Sequence, residues 1–110
     1  MNEKIPIYKM HEMGYKEIIP GTKLKFLNSA HMTFAHWNFQ PKVLLPEHSH
    51  LHEQVTTIVK GQFDITIYKE TKKLNSGDVI IIPPHAPHSG FSQSDCYIID
   101  VFYPIREDYR

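Results

Sequence analysis

The 110-residue chain carries twelve basic and twelve acidic side chains and is 41% hydrophobic and 22% charged, with a pI near 7.1. That length bounds it to one domain, burying roughly 60–68% of its unfolded surface. No basic stripe follows a phosphate backbone, which argues against nucleic acid, and no run approaches the roughly 18–20 apolar residues that span a bilayer, which argues against a membrane. The start, Met-Asn-Glu-Lys-Ile-Pro-Ile, lacks a charged segment followed by an apolar one, so a cytoplasmic location is expected. Cys96, the single cysteine, cannot close an internal disulfide and reads as a small buried hydrophobe.

Short apolar segments recur about every ten residues between turn signals, the spacing of an all-β sandwich or barrel. Residues 1–14 read as an N-terminal arm or edge strand, 43–103 as the barrel core and 104–110 as a C-terminal tail. Tyr15 to Ile19 is predicted as a short strand stopped by Pro20-Gly21. Thr22 to Leu27 alternates, and Asn28-Ser29 is a turn. His31 to Phe39 is rich in aromatics. Val43 to Leu45 is brief and closes at Pro46. Gln54 to Val59 is largely β-branched and suits a strand. After Gly61, Phe63, Ile65 and Ile67 alternate with polar residues, and Asn75 to Asp78 turns. Val79 to Ile82 is continuously apolar, as for a strand covered on both faces. Tyr97 to Tyr103 is the last strand, and Arg106 to Tyr109 has room for one helical turn.

Five of the eight histidines lie in two short stretches, Pro46 to Gln54 and Pro83 to His88. Imidazole is the commonest protein ligand for metals. His48 and His50 are two apart, so on a strand they project together with roots about 6–7 Å apart, and Gln54 keeps their parity. His88 follows a buried strand and approaches from elsewhere in a closed barrel. An interior of about eight strands holds one small ligand or metal site.

These residues resemble the two motifs of the cupin family. The first reads His-x-His, then Glu, then Gly, and is matched by His48, His50, Gln54 and Gly61. The second is matched by Gly77, Pro83 and His88. Gln54 stands in place of a glutamate, His85 in place of a glycine and Ser92 in place of an asparagine. The resemblance implies an all-β cupin double-stranded β-helix, a jelly-roll barrel, with His48, His50, Gln54 and His88 holding a divalent ion: zinc, nickel, iron or manganese. The alternative is a metal-free barrel with a polar lining. His52 shares their parity, but in cupins the strand bends there, so it reads as a residue behind the ligands or as a pocket residue that touches substrate; His85 sits on the mouth loop, and Glu53 faces out. A glutamine ligand leaves the ion's charge uncompensated. That favours an anionic substrate and Lewis-acid chemistry, and counts against the two-histidine, one-carboxylate oxygenases.

Asp100 is isolated in the apolar last strand, on the face of Ile98 and Phe102. A buried carboxylate is costly unless paired or shifted in pKa. It is either a general acid/base or a group that ties down a loop. Arg106 either curls over the mouth to hold a carboxylate or is a solvated surface side chain. The His-x-His-x-His-Glu-Gln run and the ending Asp-x-Phe-x-Pro-x-Arg-Glu-Asp resemble the pectin-degradation cupins, which convert 4,5-unsaturated monouronates into linear keto forms. That resemblance implies catalytic roles for Asp100 and Arg106, with Phe102 and Arg106 binding substrate. Two other functions stay open: a non-enzymatic sugar- or metabolite-binding cupin, and a cupin dioxygenase. Ile5, Ile7 and Tyr8 are placed to add an edge strand to a second copy, so a homodimer is expected.

Overall fold

The computed structural model describes residues 4–109. Nine strands make up the body: β1 (Thr22–Asn28), β2 (Thr33–Phe39), β3 (Leu44–His48), β4 (Glu53–Lys60), β5 (Phe63–Ile67), β6 (Glu70–Leu74), β7 (Val79–Ile82), β8 (His88–Ser92) and β9 (Cys96–Tyr103). All the pairings are antiparallel. One sheet has the order β1-β2-β9-β4-β7 and the other β3-β8-β5-β6. Their inner faces enclose the core, which is the all-β sandwich or barrel expected from the spacing of apolar segments and the jelly roll implied by the cupin resemblance.

The alternation read from the sequence sets the inner face. Leu24, Ala35, Ile58, Ile82 and Phe102 are essentially inaccessible. Cys96 is buried, as its apolar setting implied. Burying each large side chain contributes about 1.5–3 kcal/mol. Gly90 on β8 is fixed by this packing. A Cβ there would lie 2.7 Å from the Phe63 ring, so only glycine lets that ring close the core.

Several expectations are corrected. Tyr15 to Ile19 forms no strand, only an isolated bridge between Lys16 and Leu24, because Pro20-Gly21 turns the chain after too short a run. β3 continues past Pro46 to His48. A proline is tolerated on an edge strand, where its missing N–H is not needed. β6 is a strand although its sequence, Glu-Thr-Lys-Lys-Leu, has no apolar alternation. It is an edge hairpin strand whose register on β5 decides its form. β8 is held between β3 and β5. β7 is not covered on both faces: Val79 is 56% and Ile81 61% exposed. The continuous apolar run therefore hides a two-sided strand with one side open.

The chain ends carry one turn of 3-10 helix each, Met10–Glu12 and Glu107–Tyr109. Residues 1–3 of the expected arm lie outside the described residues. Among the described residues, no helix is long and apolar enough to cross a membrane.

Candidate metal centre

β3 and β8 pair so that His48 and His88 are direct partners. The chain leaves β3 at His48 and re-enters the barrel at Glu53, and this loop swings His50 in beside them. One ring nitrogen from each of His48, His50 and His88 lies within 4.8 Å of the others. Ring centroids are 4.3 Å apart for His48 and His88, and 5.0 Å for His50 and His88.

Backbone carbonyls set the tautomers. His48 Nδ1–H donates to the Pro46 carbonyl at 2.8 Å, His88 Nδ1–H to Ala86 at 2.8 Å, and His50 Nδ1–H to His52 at 3.1 Å. In each ring the Nε2 lone pair is thereby left free. His88 Nε2 is buried with no hydrogen-bond partner. His50 Nε2 lies 3.1 Å from Gln54 Oε1. Gln54 turns its amide nitrogen the other way, donating to Thr56 Oγ1 at 2.9 Å. So two lone pairs face one another, and a third is orphaned beside them. A cation among these atoms resolves both problems, and the donor set of three imidazoles and one amide oxygen suits a divalent transition ion. Burial lowers the pKa of His50 to about 4, with Arg106 and His88 adding to the shift. Burial likewise lowers that of His88. Both rings are neutral at pH 7, the form that binds metal.

A hydrogen-bond chain leads inward from this cluster. Thr56 Oγ1 accepts from Gln54 and donates to Asp100 Oδ1 at 2.6 Å. Asp100 is 7% exposed. Burial raises its pKa to about 6, against the bonds from Thr56, Gln54 and Trp37 that favour the carboxylate. Gln54, Thr56 and Asp100 share the inner face through the β4–β9 register, which pairs Thr56 with Asp100 and Gln54 with Phe102.

These groups line a cavity of about 350 Å³, together with His48, His88, Arg106 and Tyr109. Its deep end is apolar and includes Trp37, Phe39, Phe63 and Ile98. Arg106 lies over the rings of Phe102 and Tyr109, at 4.8 and 4.5 Å. Its Nε and Nη2 donate to the Asp108 carboxylate at 3.0 and 2.6 Å. Its backbone N–H donates to Thr33 Oγ1 at 2.9 Å. It is thus neither free in solvent nor an uncompensated cation.

His52 takes the first of its two expected places, behind the ligand cluster. It does not line this cavity. Residues 49–52 lie between strands, so strand parity does not carry through them. The side chain packs behind His50, with ring centroids 5.3 Å apart, and its Nε2–H donates to the Ile105 carbonyl at 3.2 Å. His85 takes a φ of 67°, the left-handed conformation that explains a glycine at that motif position. Its N–H donates to the His50 carbonyl at 2.7 Å. Ser92 is fully buried, donating to the Gln40 carbonyl at 2.6 Å and accepting from Val43 N–H at 2.9 Å. Glu53 faces solvent. Sequence reasoning overlooked Thr56, Trp37 and Tyr109. Thr56 carried a usable signal, being two residues from Gln54 on one strand. Tyr109, beyond a proline, carried none.

The model of the cupin domain family matches residues 35–102. The chain belongs to the cupin family. No curated protein matches it in sequence. Among solved structures, this cupin is similar to KdgF from Halomonas sp., at 24% identity over 97% of this chain and 100% of that one, with a TM-score of 0.91. It is also similar to an RmlC-like cupin from Shewanella frigidimarina NCIMB 400, at 26% identity over the whole of both chains and a TM-score of 0.90. A salicylate 1,2-dioxygenase from Pseudoaminobacter salicylatoxidans matches at 14% identity over 79% of this cupin and 26% of its own chain, with a TM-score of 0.76.

Proposed function

We propose that this cupin is a metal-dependent isomerase that ketonises a small anionic, sugar-derived substrate of the 4,5-unsaturated uronate type, acting in the cytoplasm as a homodimer. The observation that carries the reading is Asp100, a buried carboxyl on the cavity wall, linked through Thr56 and Gln54 to the histidine cluster. In support stand the motifs that resemble the pectin-degradation cupins.

His48, His50, His88 and the Gln54 carbonyl would hold the ion. When bound, a divalent ion supplies Lewis acidity toward a substrate oxygen. Asp100 has the pKa of a group that both takes and returns a proton near neutral pH. Conversion to the linear keto form breaks the ring C1–O bond as the C1 hydroxyl loses its proton and becomes an aldehyde, while the C5 oxygen becomes a carbonyl and C4 takes up a proton; Asp100 is the carrier of that proton. Arg106 commits two donor nitrogens to Asp108, and its other N–H groups remain to orient a carboxylate. Phe102, at 1% exposure, supports the guanidinium from below. Tyr109, whose pKa burial pushes up to about 12, stays a neutral hydrogen-bond donor at the cavity wall.

The test is turnover of unsaturated monouronates, followed by loss of the ultraviolet absorbance of the C4–C5 double bond. Asp100→Asn is expected to lower turnover at least about 100-fold with the bound metal unchanged. Retained activity in that variant removes Asp100 from the mechanism, and an inert wild-type enzyme removes uronates.

The apolar deep end of the cavity favours a second reading, a cupin that binds a small carboxylate with an apolar body without turning it over. Saturable binding of such a carboxylate, with no product after hours, would select it.

A further inference from the structure

Which end of the Gln54 amide faces the histidines decides whether that side chain can hold a cation. An amide has two donor hydrogens on nitrogen and an acceptor at oxygen, and turning it over exchanges them. Turned one way, Oε1 joins the three imidazoles. Turned the other way, an N–H would donate to the His50 Nε2 lone pair, which lies 3.1 Å from Oε1. That second arrangement would satisfy both groups by themselves and close the cluster to a cation. The structure has the first, in which two acceptors face one another. A group outside the cluster therefore holds the amide against its local preference.

The hold can be followed donor by donor. Asp100 stands at the far end and receives hydrogen bonds from Thr56, Gln54 and Trp37. A carboxylate only accepts, and an indole N–H only donates. The single hydroxyl proton of Thr56 is directed to Asp100 Oδ1 at 2.6 Å. The Thr56 oxygen can then only accept, and it accepts from Gln54 Nε2 at 2.9 Å. Oε1 is left for the histidines. Turning the amide over would set Oε1 against the Thr56 lone pairs and the carboxylate. Thr56 is 2% exposed and Gln54 and Asp100 7% each, so water does not repair such a mismatch. The backbone fixes the row. Thr56 pairs with Asp100 across β4 and β9, and Gln54 lies two residues along the same face of β4. Ile58, the next residue on that face, is buried and apolar, so the hydroxyl of Thr56 is a departure from the packing around it.

We propose that Thr56 is a positioning residue for the metal centre: anchored by Asp100, its hydroxyl sets the polarity of the Gln54 amide and presents the carbonyl to the ion. This rests on the ligand set proposed above. It gives Asp100 a second task, that of ending the chain in an acceptor.

Titration of the metal-free protein with Co2+, read by visible absorption, tests this. The wild type is expected to bind the ion. Thr56→Val keeps the side-chain shape without the hydroxyl, and is expected to raise the Co2+ Kd at least about 10-fold and to alter the absorption band as the amide oxygen leaves. Thr56→Ala removes the same hydroxyl without adding a methyl, and should do the same. Gln54→Leu is expected to give the same band. Adding Thr56→Val to Gln54→Leu should bring no further loss, because the hydroxyl acts through the amide. Thr56→Ser should keep the wild-type Kd and band. Equal affinity in the wild type and Thr56→Val overturns the role of Thr56 and leaves the ligand set standing. Additive losses in the double variant also overturn it, since they mark a purely structural threonine. A wild-type Kd in Gln54→Leu removes Gln54 from the ligands, and Thr56 with it. A wild type that binds no Co2+ overturns both the ligand set and this role.

Discussion

Gln54 and Asp100 divide the work of one buried polar chain. A carboxylate at residue 54 would cancel part of an ion's charge and leave two acids one hydroxyl apart. Glutamine instead presents its oxygen to the histidines and its N–H groups toward Asp100 through Thr56. The shifted pKa of Asp100 has a stability consequence in metal-free protein. Its folded value of about 6 lies above the ordinary 3.8, so between those values the folded state holds a proton that the unfolded state has released. Stability falls as pH rises through that window, by roughly 3 kcal/mol in full. Asp100→Asn has no such penalty. Urea unfolding of the two proteins from pH 4 to pH 7 is therefore expected to show the variant gaining on the wild type as pH rises, then levelling off above about pH 6.

At the scale of elements, the site depends on β8 reaching the correct depth between β3 and β5. Gly90 sets that depth by accepting the Phe63 ring. Gly90→Ala forces the ring or the strand to shift, an overpacking cost of about 1–3 kcal/mol. The displacement reaches His88 two residues away. Thermal denaturation of the metal-free variant is expected to show a lowered Tm, and a chelator competition a weakened metal site. An unchanged Tm would mean that Phe63 repacks freely. β6 and β7 carry the complementary lesson. β6 is polar and still a strand because β5 pairs with it, and β7 is apolar and still half-exposed because its outer side has no full cover among the described residues.

For the whole molecule, the proposed ligands span both sheets. His48 and His88 belong to the four-stranded sheet, Gln54 to the five-stranded one, and His50 to the loop that crosses between them. An ion held by this set clips the barrel shut near its mouth. Binding only to the folded state stabilises it by RT ln(1 + [L]/Kd), about 2.7 kcal/mol at a hundredfold excess over Kd. Removing metal with a chelator is thus expected to lower the Tm by several degrees, and adding metal back to restore it. His48→Ala/His88→Ala should lose that metal-dependent shift. A Tm indifferent to metal in the wild type would count against a bound ion.

The sequence by itself determined the β architecture and the residues that the first motif brings together. Alternation is local: two residues along a strand is the same face, so Leu24 with Phe26, and Ile98 with Asp100 and Phe102, could be read directly. Histidine and turn spacing located both halves of the cluster for the same reason. Only the tertiary structure decided what depends on a partner. Between the two places open to His52, the loop at 49–52 chose the one behind His50, because it breaks strand parity. Arg106 found Asp108 and two aromatic rings because the tail folds back after Pro104. Asp100 acquired its raised pKa from burial on a strand held between β2 and β4. Pairing, burial and the open outer face of the larger sheet are sums over segments far apart in the chain, and no local period encodes them.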